Sequence, residues 1–174
     1  MTGSAGSDRS TQSVVRFVEE WDEVPALLLD RHLDVLSASR LALAIVQDLA
    51  VGANLARLGV AAAGAMRADD AARTCSDLAA LLRDALTASA EDERFVALIG
   101  ELVATSRGFA IAWAESRGGL RADRVRVHHP AAGALRLDYL RVPLDGCSGA
   151  VLVLARSGDR ATGDRLRRLS RPAD

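Results

Sequence analysis

The sequence contains no lysine. All 22 basic residues are arginine, set against 23 acidic ones, for a formal net charge of −1. Such a chain has no global positive field to attract nucleic acid, so direct DNA binding by this chain is not expected. Aromatics are equally scarce: three Phe, two Trp and one Tyr. That excludes the ladder of exposed rings on which single-stranded nucleic acid stacks, and it leaves Ala, Leu and Val to build the core. Cysteine is reduced to Cys75 and Cys147, with no CxxC spacing. Thiolate metal sites and a disulfide framework are excluded, and two reduced thiols in a cytoplasmic protein are expected. The opening MTGSAGSDRS lacks the charged-then-apolar pattern of a signal peptide, and no apolar run reaches the length of a membrane span.

Catalytic signatures are missing as well. There is no phosphate-binding glycine loop, no nucleophile elbow and no histidine pair at metal spacing on a helix. His128 and His129 are adjacent on an expected strand, where neighbours point to opposite faces, so they cannot easily chelate one ion. No enzyme, metal or cofactor is expected.

What is present is organised around Arg124–Arg156. Val125 and Val127 alternate with Arg124, Arg126 and His128, the period of a half-buried strand. His129-Pro130-Ala131-Ala132-Gly133 breaks it with turn residues. Leu135, Leu137 and Tyr139 then alternate with Arg136 and Asp138. After Pro143 and Asp145-Gly146, the apolar run Val151–Leu154 reads as a strand covered on both faces. Three strands on short turns form an antiparallel meander.

Upstream, residues 1–10 read as a disordered tail and 11–171 as one domain, long enough for a real core. Ser10 or Thr11 is expected to cap a helix with Val14, Phe17, Val18 and Trp21 on one face, ended by Pro25. Ala26–Asp30 and Leu33–Leu36 read as a hairpin turning at Arg31-His32, with His32 in solvent. Helices are expected from Arg40, over Asn54–Leu58, after Thr74 with Asp77, after Ser89 with Asp92, from Ser106 to Gly118-Gly119, and over Asp159–Leu169. Gly59–Ala68, rich in Ala, has no clear assignment. The sum is an α+β fold: a PAS-like five-stranded antiparallel sheet with helices packed on one face. Phe109, Trp113 and Tyr139 are half of all the aromatics. They pack the core or line an apolar cavity, which an Ala-rich helical layer would favour.

The segment His129–Tyr139 resembles the HP-x-x-G-x-L-x-L-x-Y signature of the MmyB-like transcription regulator ligand-binding domain. Pro25–Leu36 is similar to that family's opening hairpin. Asn54–Leu58 and Phe95–Trp113, with Leu98 to Leu102 as L-x-x-E-L, are similar to its middle helices. Ser39, Ala71, Ser116 and Leu140 depart from the pattern, Ala71 standing where it carries tryptophan. The resemblance implies a sensory domain for a small, fatty-acid-like ligand, found in actinobacterial regulators after a helix-turn-helix. Only about ten residues precede the first expected helix, so that DNA-binding part is expected to be absent. Phe109, Trp113, Leu135, Leu137 and Tyr139 would wall the ligand site, with Arg126 or His129 at a polar head group. A homodimer or a partner regulator would receive the signal. The alternative is a ligand-free interaction or dimerisation module.

Overall fold

The computed structural model describes residues 4–86, 92–116, 124–144, 147 and 149–170. These form seven helices and a five-stranded antiparallel sheet, an α+β fold as expected. The chain divides into two compact units: residues 1–53 with 123–174, and residues 54–122.

The first unit holds the sheet. Its strands are β1 (Ala26–Leu29), β2 (Val35–Ala38), β3 (Arg124–His129), β4 (Gly133–Pro143) and β5 (Val151–Ser157), in the order β2-β1-β5-β4-β3. The early hairpin therefore joins the late meander through β1 and β5, with Ala26 opposite Leu154 and Leu29 opposite Val151. Helix α1 (Ser4–Glu19) begins well ahead of Ser10 and Thr11. Val18, with Val14, Val15 and Trp21, packs it on Ala26, Leu28, Leu152 and Leu154. Helices α2 (Arg40–Ile45) and α7 (Arg160–Leu169) cover the opposite face, where Leu41, Ile45 and Leu166 meet Leu135 and Leu137. The helical layer expected on one face is thus divided within this unit. The unbroken apolar run of β5 is the cause, since Leu152 and Leu154 serve one face while Ala155 serves the other.

Local chemistry accounts for the joints. Ser39 caps α2, accepting from Ala42 N at 3.3 Å and Ala26 N at 2.9 Å while its hydroxyl donates to Val24 O at 2.8 Å. Its burial is therefore satisfied. The hairpin turn is built on Asp30, whose Oδ1 accepts from His32 N and Asp34 N, both at 2.8 Å. This places Leu33 at a φ of 66° and buries His32, with Nδ1 3.4 Å from Asp30 Oδ2. His32 was expected in solvent; the Asx turn folds its ring inward instead. Phe17 also departs from expectation: it is 55% exposed, its ring tilted 59° against that of Trp21 with centroids 4.9 Å apart, outside the face on which Val14, Val18 and Trp21 pack.

The second unit is helical: α3 (Leu55–Ala63), α4 (Ala68–Leu86), α5 (Glu93–Thr105) and α6 (Arg107–Glu115). Asn54 caps α3 through Ala56 N and Arg57 N, Asp92 caps α5 and Ser106 caps α6. Gly59 lies inside α3 because Leu78 of α4 sits where a side chain would go, with Cδ1 2.7 Å from a built Cβ. Thr74 and Asp77 are interior to α4, and Thr74 Oγ1 donates to Asp70 O at 2.9 Å, back-bonding rather than capping. Ser89, Gly118-Gly119 and Asp145-Gly146 lie outside the described residues.

Candidate functional site

The helical unit contains an open groove of about 590 Å³, walled by all four of its helices. Its lining is dominated by small apolar groups: Val60, Ala61, Ala63 and Gly64 from the α3 side, Ala68, Ala71, Ala72 and Cys75 from α4, and Leu102 and Gly108 from α5 and α6. Short side chains at facing positions leave volume that no neighbour fills. The polar residues are Arg57, Glu101, Thr105 and Ser106.

Arg57 and Glu101 form a two-pronged ion pair, Nε to Oε1 at 2.8 Å and Nη2 to Oε2 at 2.6 Å. The bond from Arg57 holds the Glu101 carboxyl below its ordinary range. Cys75 is 2% exposed, and burial pushes its thiol up despite a hydrogen bond with Ser106. It is therefore a protonated, unreactive wall residue at neutral pH.

Phe109 and Trp113 belong to α6 of this unit. Their rings stack with centroids 6.1 Å apart and planes 20° from parallel, Phe109 fully buried and Trp113 half-buried. The guanidinium of Arg83 on α4 lies 4.2 Å from the Trp113 ring centroid.

The other five residues singled out from sequence belong to the sheet unit. Leu135 and Leu137 are buried in the closed cluster with Leu41, Ile45 and Leu166. Tyr139 shares their face of β4 and is half-buried. Arg126 lies opposite Arg136, so it points to the other face of the sheet and does not join the leucines. His129 is committed to the β3–β4 turn, its Nδ1 accepting from Ala131 N at 3.2 Å and Ala132 N at 3.0 Å. Among the described residues, no three His, Cys, Asp or Glu side chains are placed to hold a metal ion. No described helix is long and apolar enough to cross a membrane.

Sequence reasoning missed the groove. Its signal was the Ala-rich stretch from Gly59 to Ala68, with Ala71 and Ala72 behind it, whose lack of bulk carries no periodic pattern to read.

These features define an α+β domain with a solvent-open, largely apolar groove. A family model described as the MmyB-like transcription regulator ligand binding domain matches residues 11–169 of the 174. The chain belongs to that family. No curated protein matches it.

Proposed function

We propose that this chain is the small-molecule-sensing domain of a bacterial transcription regulator of PAS-like architecture, working in the cytoplasm, and that its ligand is fatty-acid-like. The groove of the helical unit carries this reading: it is largely apolar, about 590 Å³, and edged by the Arg57–Glu101 ion pair. Ala71, where the family signature carries tryptophan, stands in its wall, so the small side chain leaves open volume that an indole would fill. An acyl chain would lie along the alanines, with its polar head group at the Arg57–Glu101 edge. Phe109, next in sequence to Gly108 of the wall, and Trp113 would set the packing of α6 behind it. Leu135 and Leu137 are read as core rather than contacts, Tyr139 as their half-buried neighbour. His129 and Arg126 are read as a turn residue and a residue of the other sheet face. Ligand binding would act by population shift, favouring one packing of α3 to α6 that a partner reads.

A second reading, an interaction module without ligand, is favoured by the burial of Phe109, Leu135 and Leu137, each at most 4% exposed. One experiment separates the two: a fatty-acid chain-length series titrated into wild type and Ala71→Trp, with native mass spectrometry of the purified protein. Burial of an acyl chain gains about 0.8 kcal/mol per methylene before ordering costs. Affinity should rise with length until the groove is full, and should stop rising at a shorter chain in the variant. A flat response in both proteins and no co-purified lipid would leave the interaction module.

A further inference from the structure

Gly59 and Gly100 both stand inside helices of the helical unit, for different reasons. Glycine weakens a helix interior, so each position asks for a cause. At Gly59 the cause is Leu78 of α4, which occupies the place of a side chain. At Gly100 a built Cβ meets nothing within 4 Å. No neighbour inside the chain requires that glycine.

Gly100 is the midpoint of the outer side of α5. Helical periodicity groups Val96, Ala97, Gly100, Val103 and Ala104 there, and all five are exposed, Val96 at 60% and Val103 at 37%. Phe95, Leu98 and Leu102 are buried on the opposite side. A helix apolar on both sides is ordinarily covered on both. The exposed stripe is bounded by charge. Glu93 is the first residue of α5, and Arg107 follows directly on the Ser106 cap at its end. Both are exposed, and among the described residues neither enters an ion pair. Glu101, by contrast, is turned to Arg57 at the groove.

We propose that α5 pairs antiparallel with α5 of a second copy of the chain, across a two-fold axis at Gly100. The stripe is self-complementary about that residue in both size and charge. Positions counted equally to either side of the axis meet: Gly100 on Gly100, Val96 on Ala104, and Val103 on Ala97. Each valine of one copy thus sits over an alanine of the other. The small residues let the helix axes approach to about 8 Å, the near end of ordinary helix spacing. The same counting brings Glu93 to the end of α5 that carries Arg107 in the second copy, and two-fold symmetry makes that contact twice. A parallel pair would set Glu93 against Glu93, so the charges fix the antiparallel sense. A seam one helix long, about 20 Å, is small. Association is therefore weak and concentration-dependent. The pairing does not require a ligand in the groove.

The test is sedimentation of the full chain over a concentration series at low and high salt. Wild type should pass from monomer to dimer as concentration rises. Gly100→Leu should stay monomeric throughout. Because nothing stands within 4 Å of the added Cβ, it should melt no lower than wild type at a concentration where wild type is monomeric. Val96→Arg, at a position already 60% exposed, is a second variant with the same expected direction. Glu93→Arg and Arg107→Glu should each weaken association by about tenfold at low salt. An equimolar mixture of those two should recover it, since each then supplies the charge the other lacks. Circular dichroism melts check that every variant is folded. A wild type monomeric at every concentration would overturn the proposal and leave the stripe to a different partner. So would folded Gly100→Leu and Val96→Arg variants that dimerise like wild type, or a mixture of folded charge variants that associates no more tightly than either alone.

Discussion

The guanidinium of Arg83 covers the Trp113 ring at 4.2 Å while its Nη2 donates to the carbonyl oxygen of Trp113 at 2.6 Å. One side chain of α4 thus holds a single residue of α6 by both its π-face and its backbone. The carbonyl belongs to the last turn of α6, where helix carbonyls lack intrahelical donors and a cation is favoured.

That grip sets how Trp113 responds to truncation. Trp113→Ala should lower stability by about 1–2 kcal/mol, the scale of a partly desolvated cation–π contact plus its packing. Phe109→Ala should lower it by about 3–5 kcal/mol, because that ring is fully buried. Arg83→Lys keeps the charge but not the planar fork and should lose about 1 kcal/mol. Urea denaturation of the three variants checks the order.

Core and site should separate by experiment. Leu135 is 0% exposed and surrounded by Leu41, Ile45 and Leu166. Leu135→Ala should destabilise by about 2–5 kcal/mol and leave acyl-chain affinity unaltered at temperatures where the variant is folded. Ala71→Trp should do the reverse, shortening the preferred chain with little loss of melting temperature. Calorimetric titration with melting curves reads both.

Two carboxylates should shape the pH dependence in opposite senses. Asp159 caps α7, and the hydrogen bond from Thr162 N, at 2.7 Å, holds its carboxyl below the ordinary range. Its folded pKa is depressed, so its contribution is present above the unfolded value of about 4 and is lost as pH falls through the lower folded one. Asp159→Asn should flatten the acid limb of the stability curve. Asp77 is pushed up by burial. Its contribution is full below the unfolded value and is lost as pH rises through the folded one, so its charge weakens the fold at neutral pH. Asp77→Asn should raise the melting temperature at neutral pH, with the gain shrinking in acid. Melts from about pH 3 to pH 7 decide both signs.

The thiols should be inert. Cys75 and Cys147 are both free and buried. Alkylating reagents should label the native protein slowly at both positions, and Cys75→Ala with Cys147→Ala should leave its oligomeric state the same under oxidising and reducing conditions. Mass spectrometry after timed labelling is the measurement.

The strands were legible because alternation is a local signal. Val125, Val127, Leu135 and Leu137 each announce their face within a few residues. The cap at Ser106 was legible for the same reason: its side-chain oxygen reaches an amide three residues on. Asp92, expected as the partner of a cap at Ser89, is itself the cap of α5. What escaped depends on distant partners. The side of the sheet that α1 takes and the groove behind Ala61 and Ala71 are set by which elements meet, and alanine fits nearly any such meeting. The expected ligand contacts Phe109, Trp113, Leu135, Leu137 and Tyr139 were read from shared periodic faces. Sharing a periodic face shows that residues are buried together, but not whether the space between them is empty.

Arg136 has a further partner in the chain's last helix. Its backbone N–H donates to the buried Thr162 Oγ1 at 3.0 Å, and its carbonyl accepts from Gly158 N at 2.8 Å. Strand β5 has ended at Ser157, opposite Leu137, so the start of α7 continues the ladder where no strand remains. The last helix is therefore a stopper as well as a cover. Pulled away, it would expose Leu135 and Leu137 and open a strand-wide slot with an unmet donor and acceptor, the kind of edge that recruits another chain in register. At this point of the ladder, the hydroxyl of Thr162 and the amide of Gly158 take the place of a neighbouring strand.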